Sequence, residues 1–193
     1  DYIYQKNKNR LLLTNGFDER ARMSHGLKTR WNFYSDFTLI NLSETGLKDY
    51  TSEFFSTKNY SIKNTATSFV LQYMPGFQSK LEIQYKFIQK ENILQTEKSK
   101  NHTIGFDYNY GIAHKGNLQI KANYLKIYYN SPENTSLSYE MLEGLKPGNN
   151  STWNIGYQQK LSGNIELTLS YDGRYSENYK IIHTGTVQLR AFF

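Results

Sequence analysis

The chain has 193 residues, 3 Pro, no Cys and a formal net charge of +6, with a mean hydropathy of −0.70. The absence of Cys removes disulfides, thiol catalysis and cysteine-bound metal, and no run approaches the roughly 18 to 20 apolar residues of a membrane helix, which excludes a helical membrane protein. Lys and Arg alternate with Asp and Glu and form no basic block, so no nucleic-acid partner is expected. The length suits one domain over 1–193, and Asp1-Tyr2-Ile3-Tyr4 does not read as a secretory leader.

Taken in chain order, the signal is alternation with period two. Residues 2–13 read as one further strand. Leu27, Trp31 and Phe33 oppose Lys28, Arg30 and Asn32, and 37–42 follows after Tyr34-Ser35-Asp36. Phe69, Leu71 and Tyr73 continue the pattern. Leu81, Ile83, Tyr85 and Phe87 oppose Glu82, Gln84 and Lys86, and Ile104, Phe106, Tyr108 and Tyr110 oppose Gly105, Asp107, Asn109 and Gly111. Leu118, Ile120, Ala122 and Tyr124 oppose Gln119, Lys121 and Asn123. Trp153, Ile155, Tyr157 and Leu161 oppose Asn154, Gly156, Gln158 and Lys160, and Ile165, Leu167, Leu169 and Tyr171 oppose Glu166, Thr168, Ser170 and Asp172. In the last strand Val187, Leu189, Ala191 and Phe193 oppose Thr186, Gln188, Arg190 and Phe192.

Between these strands, tight turns at 34–36, 75–79, 113–117 and 162–164 alternate with more variable connections at 50–59, 95–98, 130–149 and 176–179. Short turns at one end and variable loops at the other describe an all-β fold, a transmembrane antiparallel up-and-down β-barrel or the C-terminal part of one, with about 9–10 strands in this chain. Only alternate residues of such strands meet lipid, which explains the polar average. Trp31, Phe33, Tyr73, Trp153 and Tyr171 are read as an aromatic girdle; Trp153 is placed with Phe33, Phe37 and Tyr73 beside the short turns, and Tyr50, Tyr60, Tyr110, Tyr128, Tyr129 and Tyr175 at the opposite rim. A soluble sandwich or lipocalin-like barrel is the competing fold, with the apolar face turned inward.

The outward set Val187, Leu189, Ala191 and Phe193 resembles the C-terminal signal by which outer-membrane proteins are recognised by the barrel-assembly machinery. The stretches 139–150, Trp153-Asn154, 171–174 and 182–193 are similar to the C-terminal ends of large outer-membrane proteins of Bacteroidota. The resemblance covers the last third of the chain and carries no catalytic residue. It implies a bacterial outer-membrane location, a lipid and lipopolysaccharide environment, and a chain that continues a longer protein upstream of Asp1.

Lys28, Arg30, Glu82, Lys86, Asp107, Lys121, Glu166, Asp172, Arg174 and Arg190 are expected to line a lumen, where they select ions or pair to fill it. His25, His102, His114 and His183 are the four imidazoles. A rim protease of omptin type would combine His102 and His183 with Asp18 or Asp49, and a rim phospholipase would use His183, but no sequence motif of either accompanies them. In the longest loop, Leu142, Leu145 and Pro147 either fold back on the loop or dock a surface lipoprotein subunit. No cofactor or metal is expected. The functions this pattern admits are an anchoring, structural or transport component of an outer-membrane assembly, a small porin, or a rim hydrolase.

Overall fold

The computed structural model describes residues 1–14, 16–112 and 115–192, so Phe193 and His114 lie outside the described residues. Among the described residues ten strands form one antiparallel sheet in which spatial order equals chain order. They are β1 (Tyr2–Leu13), β2 (Gly16–Asn32), β3 (Phe37–Ser52), β4 (Tyr60–Tyr73), β5 (Ser79–Asn92), β6 (Lys98–Ile112), β7 (Gly116–Tyr129), β8 (Gly148–Ser162), β9 (Ile165–Ser176) and β10 (Ile182–Ala191). Among the described residues a short 3-10 turn at Ser56–Lys58 and one helix, α1 (Ser136–Leu142), sit in the connections. The fold is all-β and up-and-down, as the alternation predicts, and residues 2–13 are a strand.

Residues opposite one another in an antiparallel ladder share a face, so the register sorts the whole chain into two faces. Leu71 pairs with Ile83, Ile83 with Phe106, Phe106 with Ala122 and Ala122 with Trp153; these form one apolar face. The other face carries Gln72, Glu82, Asp107, Lys121, Asn154 and Asp172 in register. Burial then decides which of the two is enclosed. On β6, Ser99, Asn101 and Thr103 are buried, while Ile104 is 57% and Phe106 41% exposed. This inverts the arrangement of a soluble core, where apolar side chains leave water. We call the polar face inner and the apolar face outer.

The sheet is rolled, because α1 and the residues just after it reach the inner faces of β3, β5 and β9 together: Glu140 pairs with Lys48, Glu143 with Lys90, and the Gly144 carbonyl accepts from Arg174. Among the described residues β1 and β10 have one neighbour each, and every residue in them is exposed. β3 departs from the pattern of its neighbours: by register Asn41, Ser43 and Thr45 share the outer face with Phe69, Thr67 and Thr65, and Ile40 and Leu42 turn inward.

Three aromatic placements differ from expectation, and one of them is Tyr171, the seventh of the twelve residues of β9, paired with Ile155 in mid-sheet and not at a girdle. β8 begins at Gly148, at the long-connection end, and Trp153 is the sixth residue of its fifteen, which sets its indole above the middle of the sheet and away from the short turns. There Trp153 packs across the ladder on Gly173, where a Cβ would stand 1.9 Å from the indole. Tyr110 lies near the short-turn end, paired with Ser79 and Leu118, because β6 runs toward that end. Trp31, Phe33 and Tyr73 are at the short-turn end, where Tyr73 stacks on Phe37 with centroids 4.5 Å apart.

Candidate functional site: an enclosed polar face narrowed by residues 130 to 147

The connection between β7 and β8 turns inward because its own sequence builds a short helix with one apolar stripe. Thr135 caps α1: its hydroxyl accepts from the Ser138 backbone N–H at 2.9 Å, and Ser138 Oγ accepts from the Thr135 N–H at 2.9 Å. These bonds satisfy amides that the first turn leaves unpaired. The helix stops where Glu143 and Gly144 take positive φ of 56° and 74°, and Gly144 N–H returns to the Tyr139 carbonyl at 3.1 Å. Ser138, Met141 and Leu142, at spacings of three and four, form one face, and all three are buried.

Among the described residues the buried apolar side chains are Met141, Leu142, Ile62, Ile88 and Ile127. The three isoleucines interrupt the polar inner faces of β4, β5 and β7, and Ile62 lines the same cleft as Glu140 and Glu143. Leu142 therefore sits inside the barrel, 2% exposed, and is not on an outward docking surface. Leu145 and Pro147 are half-buried in the return to β8. Burying Met141 and Leu142 contributes roughly 1.5 to 3 kcal/mol each. The ion pairs are smaller contributions: Glu143 is 61% exposed in its pair with Lys90 at 2.7 Å, and partly exposed pairs are worth about 1 kcal/mol or less. Apolar burial thus holds the segment in, and the charges set where it lands.

The cleft beneath α1 is walled by Arg22, Glu44, Lys48, Asn64, Lys90, Glu140 and Glu143. Glu143 lies outside the strands; burial pushes its carboxyl up, but the bond from Lys90 and the charges of Lys90, Lys86 and Lys48 outweigh it and hold the group below the ordinary value. Further from α1, Asp107, Glu82, Glu166 and Asp172 on the inner face are each partnered. Asp107 meets Lys121 at 3.3 Å, Glu82 meets Lys80 at 2.9 Å and the Gln72 amide at 2.7 Å. Glu166 accepts from Gln158 at 2.9 Å and Asp172 from Asn154 at 2.7 Å. By register Lys28, Arg30, Lys86, Arg174 and Arg190 share this face, and among the described residues Lys28, Arg30, Lys86 and Arg190 form no ion pair. Cations therefore outnumber carboxylates on the inner wall.

Among the described residues the imidazoles are far apart in the strand order. His25, His102 and His183 lie on the outer face of three separate strands, and each bonds through Nδ1 to a tyrosine hydroxyl, that of Tyr2, Tyr85 and Tyr171 respectively. Asp49 accepts from Ser61 Oγ at 2.6 Å, and Asp18 pairs across the ladder with Ser52. Among the described residues no cluster of His, Asp or Glu could hold a metal ion.

Nothing in the periodicity of residues 130–147 marks α1 or its inward course. Thr135 and Ser138 form a capping box with Ser in the place of the usual Glu or Gln, so the start signal was weak. A clearer sign was available in Ile88 and Ile127, apolar residues standing on polar faces, which require something apolar inside.

An up-and-down antiparallel sheet rolled around a polar interior defines a porin-like β-barrel. The solved structure of NanC porin is similar to this chain with a TM-score of 0.50, covering 100% of this chain and 94% of that chain at 8% identity. At that identity the likeness is one of fold alone. No protein-family model matches the chain, and no curated protein does.

Proposed function

We propose that this chain is an outer-membrane β-barrel of the small-porin kind, passing small, preferentially anionic solutes through a lumen narrowed by residues 130–147. The observation that carries the reading is the inversion of its faces: the outer face presents exposed Leu71, Ile83, Ile104, Phe106 and Ile155, while Ser99, Asn101 and Thr103 are enclosed. Only a bilayer makes that arrangement favourable, since strands can span lipid when their outward residues are apolar and their backbone bonds are met by neighbours. Asn64, Ser99 and Asn101 keep side-chain polar atoms with no protein partner, which a wet lumen would serve. The surplus of inward Lys and Arg favours anions.

In this reading the short turns face the periplasm and residues 130–147 face outward, and lipid and lipopolysaccharide surround the barrel. Val187, Leu189 and Ala191 share the outer face of β10, as an assembly signal read by the barrel-assembly machinery would require. The protein has no catalytic role here, and the resemblance of its last third supports an origin in the Bacteroidota. A second role, anchoring a larger surface assembly, is favoured by the two unpaired edge strands.

Purified protein in planar bilayers is expected to give stepwise conductance, with a reversal potential shifted toward the chloride value. Silence in bilayers that nevertheless contain heat-modifiable, folded protein would overturn the transport role. Protein that never inserts would overturn the barrel.

A further inference from the structure

On the outer face of β6 and β7, near the long-connection end, four donors meet. His102 stands opposite Lys126 and Lys100 opposite Tyr128. The Lys126 ammonium lies 5.3 Å from the Tyr128 ring centre, the His102 ring 6.4 Å from it, and the Tyr85 hydroxyl bonds His102 Nδ1 at 2.8 Å. The next pairs toward the short turns are Ile104 with Tyr124 and Phe106 with Ala122, so this cluster marks the point where the outer face changes from apolar to charged.

Among the described residues Lys100 and Lys126 form no ion pair. The nearby carboxylates are engaged: Glu91 by Lys98 at 2.6 Å, and Glu177 by the Asn149 amides at 2.8 and 2.9 Å. Beside the cluster, a depression on the same face is walled by Thr67, Phe69, Tyr85, Phe87 and His102. His102 thus belongs to both the cationic cluster and the apolar trough.

We propose that Lys100, His102, Lys126 and Tyr128 bind a phosphate of lipid A in the outer leaflet, with one acyl chain lying along Phe69, Tyr85 and Phe87. Two ammonium groups held at the boundary of a bilayer lose little solvation and gain a strong anion. The adjoining trough distinguishes a phospholipid-like anion from free phosphate, which would have no use for it. The proposal rests on the barrel reading above.

The test uses the full chain in phosphatidylcholine vesicles doped with lipid A, with retained lipid read by native mass spectrometry. The Lys100→Ala/Lys126→Ala variant is expected to retain lipid A about thirtyfold less well, at about 1 kcal/mol per lysine, and Lys100→Gln/Lys126→Gln to behave alike. The Lys28→Ala/Lys86→Ala variant, with the same loss of charge on the inner face, is expected to retain it as the parent does. Equal retention by all variants, equal binding of dephosphorylated lipid A, or displacement by millimolar inorganic phosphate would each overturn the proposal. Heat-modifiable migration separates the two readings: a folded, inserted barrel without lipid preference overturns this site alone, whereas a parent chain that does not insert overturns the barrel as well.

Discussion

The connections at 53–59 and 130–147 leave the same end of the sheet and meet opposite fates. The first carries two phenylalanines, Phe54 and Phe55, that are 61% and 45% exposed and stack edge to face on each other; its 3-10 turn buries nothing. The second buries Met141 and Leu142 almost completely. Both contain large apolar side chains, so hydrophobicity alone does not draw a loop inward. What differs is the wall each one meets and the presence of a capped helix that aligns its apolar residues on one face with acidic residues, Glu140 and Glu143, reaching lysines beside them.

The contrast is broken most sharply by removing the apolar anchor. Met141→Ala combined with Leu142→Ala is expected to cost roughly 2 to 5 kcal/mol per site, releasing the segment; single-channel conductance should rise, and trypsin should cut at Lys146 while the barrel stays folded. Unchanged conductance in that variant would mean the segment does not constrict the lumen. A smaller effect is expected of Glu143→Ala, which leaves the nearly buried Lys90 amine, 9% exposed, without its carboxylate, at about 1 to 3 kcal/mol. Thr135→Ala removes the helix cap at about 1 kcal/mol, visible as faster amide exchange over 136–142.

Protonation sharpens the same comparison. Because Glu143 is held below its ordinary value of about 4.5, its stabilisation is present above that value and is lost as pH falls through the lowered one. Conductance should therefore be level from neutral pH down to about 4.5 and rise only below it, and the rise should be absent from Glu143→Gln. The smallest effect belongs to the other connection: Phe54→Ala with Phe55→Ala should leave conductance unaltered and change stability by about 0.5 kcal/mol or less.

Strands were legible in the sequence wherever one face is apolar and the other polar, as Leu81 to Phe87 and Ile104 to Tyr110 alternate with period two. β3 was read poorly beyond its first residues, since Asn41, Ser43 and Thr45 point outward and cancel the contrast. The inner charges were assignable to a face by parity, but their partners were not: the pairing of Asp107 with Lys121 depends on register between strands, which turn lengths at 113–117 did not fix. Trp153 and Tyr110 were misplaced along their strands because the ends of β6 and β8 are set by the connections, whose lengths carry little periodic signal. The helix was missed for want of length, a seven-residue element being too short to show a period of 3.6.

The two edge strands carry a hydrogen-bonding debt that water hides and hydrocarbon would expose. Along β1 and β10 every second amide and carbonyl points away from the only neighbouring strand, and in a bilayer core each such group left unmet costs several kcal/mol. Within lipid the seam must therefore be satisfied, by the two edges meeting one another or by strands placed between them. Amide exchange in a bilayer would read this directly: β1 and β10 should be protected as well as β5, and the same amides should exchange freely in a detergent too short to enclose the barrel.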